Sequence, residues 1–300
     1  MLLGIEIGGT KLQLGVGPGD GTLRGFWRGT VHAPAGAEGI RRQITAAVPE
    51  LLTSAGVDRS ALRAVGVGFG GPVDDATRTV ITSHQIAGWD NFPLADWLTE
   101  TLGLPAALGN DADVAGLAEA LCGAGRGLSP IFYMTIGSGI GGGLIIDGKI
   151  HRGTSKGAAE IGHLRMQTPD GPKPLEQVAS GWAIDRAAGR PAHEVAAAAQ
   201  RGDPAARAVL DAALTHLAEA LCHVVALVCP RRILIGGGVS LMGEEVFFGP
   251  LREKVAERVF KPFAGCYDIM PAALGEEVVV HGALALARQS VAGSRRFGEA

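Results

Sequence analysis

Three glycine-rich segments are the parts of this chain best suited to bind a charged ligand. They are Gly8-Gly9, followed by Thr10 and Lys11, then Gly137 to Gly143, and Gly236 to Gly238. Glycines leave backbone N–H groups uncovered, so such turns can cradle an anion such as a phosphate, and a hydroxyl and a cation add to that capacity. Taken alone, Gly8-Gly9 equally fits a hairpin turn that only needs positive φ.

Asp111 is the best candidate for a general base. Phosphoryl transfer to an alcohol needs a carboxylate within hydrogen-bond reach of the hydroxyl, and otherwise mainly positioning and neutralisation of charge. Asn110-Asp111 stands where a predicted strand passes into a helix, so a capping role for Asp111 stays open. Glu160 and His163 in AAEIGHL could hydrogen-bond a polyol, or they could be surface or structural residues.

Two common nucleotide-binding motifs are missing from the sequence. The chain has no GxxxxGK[ST] phosphate loop, and no GxGxxG opens a helix after the first strand. P-loop and Rossmann sites are therefore disfavoured.

Composition limits the class of protein. The chain has 300 residues, enough for two domains, and 46 glycines indicate many tight turns or ligand loops. A net charge of −3 without a basic stripe predicts no nucleic-acid partner. The start lacks a basic n-region and no apolar run is long enough for a bilayer, so we expect a cytoplasmic protein with no membrane partner.

Hydrophobic periodicity predicts alternating strands and helices. The first half contains a hairpin over residues 2–16, strands at 25–31, 64–68 and 106–108, and helices at 37–55, 94–102 and 112–122. The second half contains strands at 131–136, 144–146 and 232–235, a glycine turn at 137–143, mostly helical sequence from 181 to 226, and a last helix at 278–287. The repeated strand–glycine–strand unit predicts two related α/β halves.

Five segments together resemble the ROK sugar kinases, a branch of the actin-like ATPase superfamily. They are IEIGGTK, GNDAD, TIGSGIGGGLIIDGKIHRG, AAEIGHL and ILIGGGVS, in this order. The resemblance extends from about residue 3 to about residue 288, nearly the whole chain. The resemblance implies a two-domain α/β fold of the actin-like (ribonuclease H-like) kind with an active-site cleft between the domains. We place the domains at 1–111 and 112–300, and the helix near 278–288 could pack back on the first.

The resemblance also implies a role for each matching residue. Asp111 matches the catalytic base, and the sugar ligands correspond to Gly71, Gln85, Asn110, Asp111, Glu160, His163 and Glu176. The nucleotide ligands correspond to Gly8, Gly9, Thr10 and Lys11 in the first phosphate loop, Gly137, Ser138 and Gly139 in the second, and Gly236, Gly237 and Gly238 in the adenosine loop.

The chain departs from the family pattern at three places. Glu6 replaces the aspartate that helps to organise Mg²⁺, and an indirect contact through water could survive the longer side chain. The CxCGxxGCxE zinc motif is missing, so we expect no structural zinc. Gln85 stands where an asparagine is usual, which could alter the sugar that is accepted.

These features predict an ATP-dependent, Mg²⁺-requiring hexose kinase, with glucose as the first acceptor and glucose 6-phosphate as the product. Fructose, mannose or an N-acetylated amino sugar are alternative acceptors, and a sugar-binding sensor without catalysis is an alternative function. Polyphosphate stays open as the donor, and relatives suggest a homodimer. Repressors of the family carry a helix-turn-helix before the kinase core, for which a first strand at Leu2 leaves no room.

Overall fold

The structure is a computed structural model that describes residues 1–154 and 156–296. The strands are β1 (Leu2–Ile7), β2 (Lys11–Gly17), β3 (Gly25–Thr30), β4 (Val65–Phe69), β5 (Val73–Asp74), β6 (Thr79–Val80), β7 (Ala106–Asn110), β8 (Ile131–Ile136), β9 (Ile140–Ile146), β10 (Lys149–Ile150), β11 (Arg165–Met166), β12 (Lys173–Pro174), β13 (Arg232–Gly236) and β14 (Asp268–Pro271). The α-helices are α1 (Gly36–Ala55), α2 (Leu94–Leu102), α3 (Asp111–Cys122), α4 (Leu175–Ala179), α5 (Gly181–Ala188), α6 (Ala192–Gln200), α7 (Pro204–Val228), α8 (Gly249–Arg258) and α9 (Val278–Arg296). Short 3₁₀ turns include Ile161–His163, Gly238–Met242 and Gly275–Glu277.

The chain forms two compact units. Unit 1 contains residues 1–126, 148–154 and 156–158, and the C-terminal segment from Leu274, whereas unit 2 contains residues 127–147 and 159–273. The sequence analysis began the second domain at residue 112. The structure instead keeps α3 in unit 1, because this helix packs along α9 and against β4.

The sheet of unit 1 has the strand order β3-β2-β1-β4-β7. Strands β1 and β2 pair antiparallel, which confirms the predicted hairpin, and β1, β4 and β7 run parallel. Ile7 is paired with Phe69, and Phe69 with Asn110. The three parallel strands therefore end at one level of the sheet, and the segments that follow them start side by side.

Helices cover both faces of this sheet. Ile5 and Ile7 point into a core that includes Ile44 of α1, and on the other face α9 packs against β1 and β4. The approach of α9 is so close that a Cβ on Gly66 would lie 1.8 Å from the carbonyl oxygen of Ala283. A glycine is needed at this position because no side chain would fit.

Unit 2 contains the strand order β9-β8-β13-β14, with its own core. Thr135 of β8 is paired with Gly236 of β13, so the glycine segments after these two parallel strands are neighbours. The predicted glycine turn at 137–143 was too long, because β9 begins at Ile140 and residues 141–143 pair with β8. The turn itself is limited to Gly137 to Gly139.

Helix α7 lies in the middle of unit 2 and packs against α4, α6 and α8. Its stripe of Leu210, Leu214 and Leu217 is buried, as the sequence predicted. By length and composition alone α7 is the one described helix that could span a bilayer, and half of its apolar window is buried inside the protein. Helical packing in the core explains this apolar composition.

Candidate active site

In unit 1, Asp111 stands beside the turns that follow β1 and β4. Its Oδ1 accepts a hydrogen bond from the backbone N–H of Ala112 at 2.9 Å, and its Oδ2 lies 3.5 Å from the position that a Cβ on Gly70 would occupy. The N–H of Gly70 donates to the carbonyl of Ile7 at 2.8 Å, which holds the two turns together. The carboxylate therefore faces a region that glycine keeps open.

Asn110, and not Asp111, is the cap of α3. Its Oδ1 accepts from the N–H groups of Ala112 and Asp113 at 2.9 and 3.4 Å, and its Nδ2 donates to the carbonyl of Gly71 at 3.1 Å. An amide nitrogen carries two N–H groups, and this bond uses one of them. The cap fixes the direction in which the next residue, Asp111, projects.

The glycine turn after β1 does not require positive φ. Neither Gly8 nor Gly9 adopts a left-handed φ, and the N–H of Gly8 donates to the carbonyl of Lys11 at 3.0 Å. A Cβ on Gly9 would lie 1.5 Å from Oε1 of Gln85. The absence of a side chain at Gly9 therefore lets the amide of Gln85 lie directly against the turn, and Thr10 is exposed beside it.

Glu6 is a buried carboxylate near the end of β1, just before this turn. Its Oε1 is 3.2 Å from Nζ of Lys11, and the residue is only 6% exposed. Burial raises the pKa of Glu6 to about 7, against the opposing effect of Lys11, while the charge of Asp111 raises it further. Glu6 and Asp111 thus influence each other electrostatically.

Gln13 is a member of this cluster that the sequence analysis missed. It is fully buried and lies directly across the hairpin from Glu6. With its amide oriented to satisfy both ends, the nitrogen donates to Oε2 of Glu6 at 2.5 Å and to the carbonyl of Glu276 at 3.1 Å, and the oxygen accepts from Arg28. The hairpin register, which places Gln13 opposite Glu6, was the available signal.

In unit 2, the turn Gly137 to Gly139 is supported by the segment that begins α5. The N–H of Gly181 donates to the carbonyl of Gly137 at 2.8 Å, and Ser138 lies between the two glycines of the turn. A Cβ on Gly139 would lie 3.0 Å from Oε2 of Glu176. One of the predicted sugar ligands is therefore next to the second predicted phosphate loop.

The structure brings Glu160, His163 and Glu176 close enough to interact electrostatically. Desolvation raises the pKa of the Glu160 carboxyl, His163 lowers it and Glu176 raises it. The N–H of His163 donates to the carbonyl of Glu160 at 3.1 Å. Ala159 has φ of +63°, a left-handed conformation that is uncommon for alanine and that sets the direction of Glu160.

A short hairpin occupies the position of the missing zinc motif. Strands β11 and β12 pair antiparallel, and Leu164 accepts a hydrogen bond from the N–H of Leu175 at 2.8 Å, so the hairpin joins His163 to the helix that carries Glu176. Among residues 1–154 and 156–296 no group of three or more His, Cys, Asp or Glu side chains could hold a metal ion.

A cavity of about 550 Å³ extends from the turn Gly137 to Gly139 within unit 2. Gly238 of the third glycine segment also lines it, which confirms that the second and third segments are adjacent. Trp182 and Leu241 line the same cavity, and the sequence analysis missed both. Each stands close in the sequence to a glycine or to a glycine segment, which was the available signal.

Comparisons with known sequences and structures found related proteins that match nearly the whole chain. A sequence model described as "ROK family" matches residues 2–290. A glucokinase from Thermotoga maritima is 32% identical over 320 residues, covering 97% of this chain and 98% of its own. A ROK hexokinase from Thermus thermophilus is 30% identical with a TM-score of 0.85 over 97% of this chain and 99% of its own. A ROK glucokinase from Streptomyces griseus, solved with glucose and AMPPNP, is 31% identical with a TM-score of 0.79 over 96% and 99% of the two chains.

Proposed function

Because the chain belongs to the ROK family and is a sugar kinase, we propose that it transfers the γ-phosphoryl group of ATP to a hexose, with glucose as the first candidate acceptor. The observation that carries this proposal is the position of Asp111. Its carboxylate lies beside Gly70, whose N–H binds the residue that precedes the Gly8-Gly9 turn. A base and a phosphate-binding turn are the two parts that this reaction needs close together.

In unit 1, the proposed role of Asp111 is to accept the proton of the attacking hydroxyl. A carboxylate in this role contributes through its position more than through its basicity, because the hydroxyl must be held in line with the phosphoryl group. Asn110, Gly71 and Gln85 are proposed to bind the sugar. The turn formed by Gly8, Gly9, Thr10 and Lys11 is proposed to bind phosphate oxygens.

In unit 2, Glu160, His163 and Glu176 are proposed to hydrogen-bond the sugar hydroxyls. A site built from such groups discriminates strongly against a sugar that leaves one of them unpaired. The proposed nucleotide ligands are the turn Gly137, Ser138 and Gly139 for the phosphates and the segment Gly236, Gly237 and Gly238 for the adenosine.

Mg²⁺ would accompany ATP and neutralise the charge of its phosphates. Glu6 fits an indirect role, because Mg²⁺ prefers carboxylate oxygens but keeps much of its water shell. The ion pair with Lys11 and the amide of Gln13 hold the Glu6 carboxylate in one place for this purpose. We propose that the enzyme needs no structural zinc, because a hairpin fills the place of the zinc motif.

The remaining features of the proposal carry over from the sequence expectations, and the homodimer among them rests on relatives alone. The proposed form is a cytoplasmic homodimer that has no nucleic-acid or membrane partner. Fructose, mannose and N-acetylated amino sugars are the alternative acceptors, and the amide of Gln85 on its longer arm is the feature that could favour one of them.

The test is Asp111→Asn, with Asp58→Asn, an exposed carboxylate of unit 1, as the matched control. We expect kcat to fall by roughly 10²- to 10⁴-fold while AMPPNP and sugar still bind, because the amide keeps the shape of Asp111 but accepts no proton. Turnover is measured in a coupled assay and binding by calorimetry. Wild-type turnover in Asp111→Asn would contradict the assignment.

A panel of hexoses assayed with the wild-type enzyme and ATP identifies the acceptor. Glucose is expected to give the highest kcat/KM. Measurable sugar binding without turnover of any hexose would overturn the kinase proposal and favour a sugar sensor.

A further inference from the structure

Three polar side chains form a row across the first three strands of unit 1. Glu6 of β1 is paired with Gln13 of β2, and Gln13 is paired with Arg28 of β3. Residues directly opposite one another in adjacent strands have their side chains on the same face of the sheet. The register therefore places a carboxylate, an amide and a guanidinium side by side, in that order.

The buried amide of Gln13 is held from both sides. Its oxygen accepts from Nε and Nη2 of Arg28 at 2.7 and 2.6 Å. Its nitrogen donates to Oε2 of Glu6 at 2.5 Å and to the carbonyl of Glu276 at 3.1 Å. These four bonds use the whole hydrogen-bonding capacity of an amide. The reverse orientation would set the oxygen against a carboxylate and the nitrogen against a guanidinium, so the two charged neighbours select one orientation.

Lys11 completes this arrangement beside the turn Gly8-Gly9. Its Nζ lies 3.2 Å from Oε1 of Glu6 and donates to the carbonyl of Glu276 at 3.3 Å. Lys11 and Gln13 therefore bind different oxygens of the same carboxylate, and they share one carbonyl as a second acceptor. A carboxylate that is bound at both oxygens has one defined position next to the turn.

The length of the Glu6 side chain gives this contact its meaning. Glu6 stands where the family pattern has an aspartate, and it has one more methylene and one more rotatable bond. The extra bond adds conformations that must be restricted before the carboxylate has a fixed place. Because Gln13 lies directly opposite, the longer side chain reaches its amide, and a side chain shorter by one methylene would draw the carboxylate away from it.

We propose that Gln13 is a positioning residue for the binding of ATP with Mg²⁺, which fixes the longer carboxylate of Glu6 at the phosphate turn so that the two residues act as a pair. Side chains that hydrogen-bond a carboxylate near a metal ion orient that carboxylate and affect metal affinity. Gln13 acts only through Glu6. The inference rests on the proposed function, which gives Glu6 its role toward Mg²⁺, but binding alone is enough to test it.

The first test measures AMPPNP binding by calorimetry for Gln13→Met, in Mg²⁺ and in EDTA. Methionine has a similar length but donates no hydrogen bond, so we expect the Kd in Mg²⁺ to rise about 10- to 100-fold, with a much smaller change in EDTA. Gln43→Met is the matched control, since Gln43 of α1 donates to the carbonyl of Thr30 at 3.2 Å. Wild-type affinity of Gln13→Met in Mg²⁺, or an equal loss in Mg²⁺ and EDTA, would overturn the proposal.

A double-mutant cycle with Glu6→Asp tests whether the two residues act as a pair. In the Glu6→Asp background we expect Gln13→Met to have little further effect on the Kd of AMPPNP, because the shorter carboxylate no longer reaches the amide. Residues in contact give non-additive effects, whereas independent residues give effects that add in free energy. If the two single effects multiply in the double variant, Gln13 does not act through Glu6 and the proposal fails.

Arg28→Met covers the case in which Gln13→Met does not fold. The side chain of Arg28 is 46% exposed, so its removal costs little packing, but it takes away both donors to the oxygen of Gln13. We expect AMPPNP affinity in Mg²⁺ to fall by a smaller factor than in Gln13→Met, and Arg28→Lys to restore it, because an ammonium still donates. Arg24→Met, at an exposed arginine directly before β3, controls for the change of charge. Wild-type affinity of Arg28→Met would then overturn the proposal.

Kinetics separates this proposal from the proposed function. In Gln13→Met we expect the KM for ATP at limiting Mg²⁺ to rise and the KM for the sugar to stay unchanged, a split that general damage to unit 1 would not produce. If the wild type phosphorylates no hexose but AMPPNP binding in Mg²⁺ still depends on Gln13, the proposed function fails and the positioning role stands. If the wild type phosphorylates a hexose and Gln13→Met has unchanged kinetics with ATP, the positioning role alone fails.

Discussion

At the scale of single residues, Glu6 combines burial with charged neighbours. Desolvation favours its protonated form, whereas the ion pair with Lys11 favours the carboxylate. Gln13 donates to the same carboxyl group and accepts from Arg28, which connects Glu6 to the segment before α9. A buried polar cluster of this kind stabilises the protein only while every member keeps its partners.

The raised pKa of Glu6 predicts a pH-dependent stability. The pKa of about 7 in the folded protein lies above the 4.5 of an unburied glutamate, so the contribution of Glu6 to stability is fully present below about pH 4.5 and is lost as the pH rises through 7. Gln does not titrate. We therefore expect the stability of Glu6→Gln relative to wild type to be higher at pH 8 than at pH 5, by on the order of 1–3 kcal/mol.

Urea unfolding of the nucleotide-free proteins at the two pH values measures this difference. Glu100→Gln, an exposed carboxylate of α2, is the control and should show no such change. If Glu6→Gln and wild type differ by the same free energy at pH 5 and pH 8, the pKa of Glu6 is not raised by folding.

Sequence could identify the chemistry of Asp111 but not its detailed surroundings. Asn110 caps α3, and both ends of its amide find hydrogen-bond partners. Residue types alone do not decide whether Asn110 or Asp111 is the cap. Gln13 was missed because alternation in β2 predicts a solvent-facing side chain, whereas the network with Glu6 and Arg28 buries it. The alternation of one strand does not show this pairing, which only the register between β1 and β2 reveals.

At the scale of elements, α3 holds two segments of the chain through one carboxylate. Glu119 is fully buried, its Oε2 accepts from the N–H of Ala124 at 2.8 Å, and its Oε1 accepts from the N–H of Leu274 at 2.8 Å. Ala124 lies shortly before the point where the chain first leaves unit 1, and Leu274 is where it returns for the last time. The helix therefore fixes both connections at its C-terminal end.

Replacing Glu119 with Gln should destabilise unit 1. The amide turns one of the two accepting oxygens into a donor that faces a backbone N–H, and a buried unpaired polar group costs about 1–3 kcal/mol. Thermal unfolding and hydrogen exchange at Ala124 and Leu274 measure the loss. Glu100→Gln again serves as the control, and equal stability of the two variants would show that the carboxylate contributes nothing.

Elements with a clear apolar pattern were predicted well, and those made of glycine were not. Helix α2 and strand β8 have the predicted bounds, because their apolar residues follow the expected periods. Strand β9 was predicted too short because Gly141 to Gly143 have no side chains to alternate. Its backbone pairs with β8 nevertheless, and Gly142 lies against the carbonyl of Ala159.

At the scale of the whole molecule, the two units have separate hydrophobic cores. One core joins β1, β2 and β4 with α1 and α2, and the other surrounds α7. The actin-like α/β fold that the resemblance implied is confirmed by the solved ROK kinase structures. Sequence patterns alone did not reveal that unit 1 is assembled from three separate parts of the chain.

Separate cores predict that a ligand confined to one unit stabilises that unit. AMP carries the base but no γ-phosphate, and the cavity with Trp182 lies wholly in unit 2. We expect AMP to slow hydrogen exchange in peptides from β8, β13 and α5, with a gain of about 2.7 kcal/mol at a hundred times its Kd. Mass spectrometry locates the protection, and equal protection of β1 would contradict the prediction.

The packing of α9 has a consequence for how the protein is made. β1 is synthesised before unit 2, yet Gly4 and Gly66 lie against the backbone of α9, which is synthesised after all of unit 2. The nascent chain must therefore keep one face of its first sheet uncovered while unit 2 is completed. A chain truncated before residue 278 would lack the helix that covers this face, and its first unit would be unfinished.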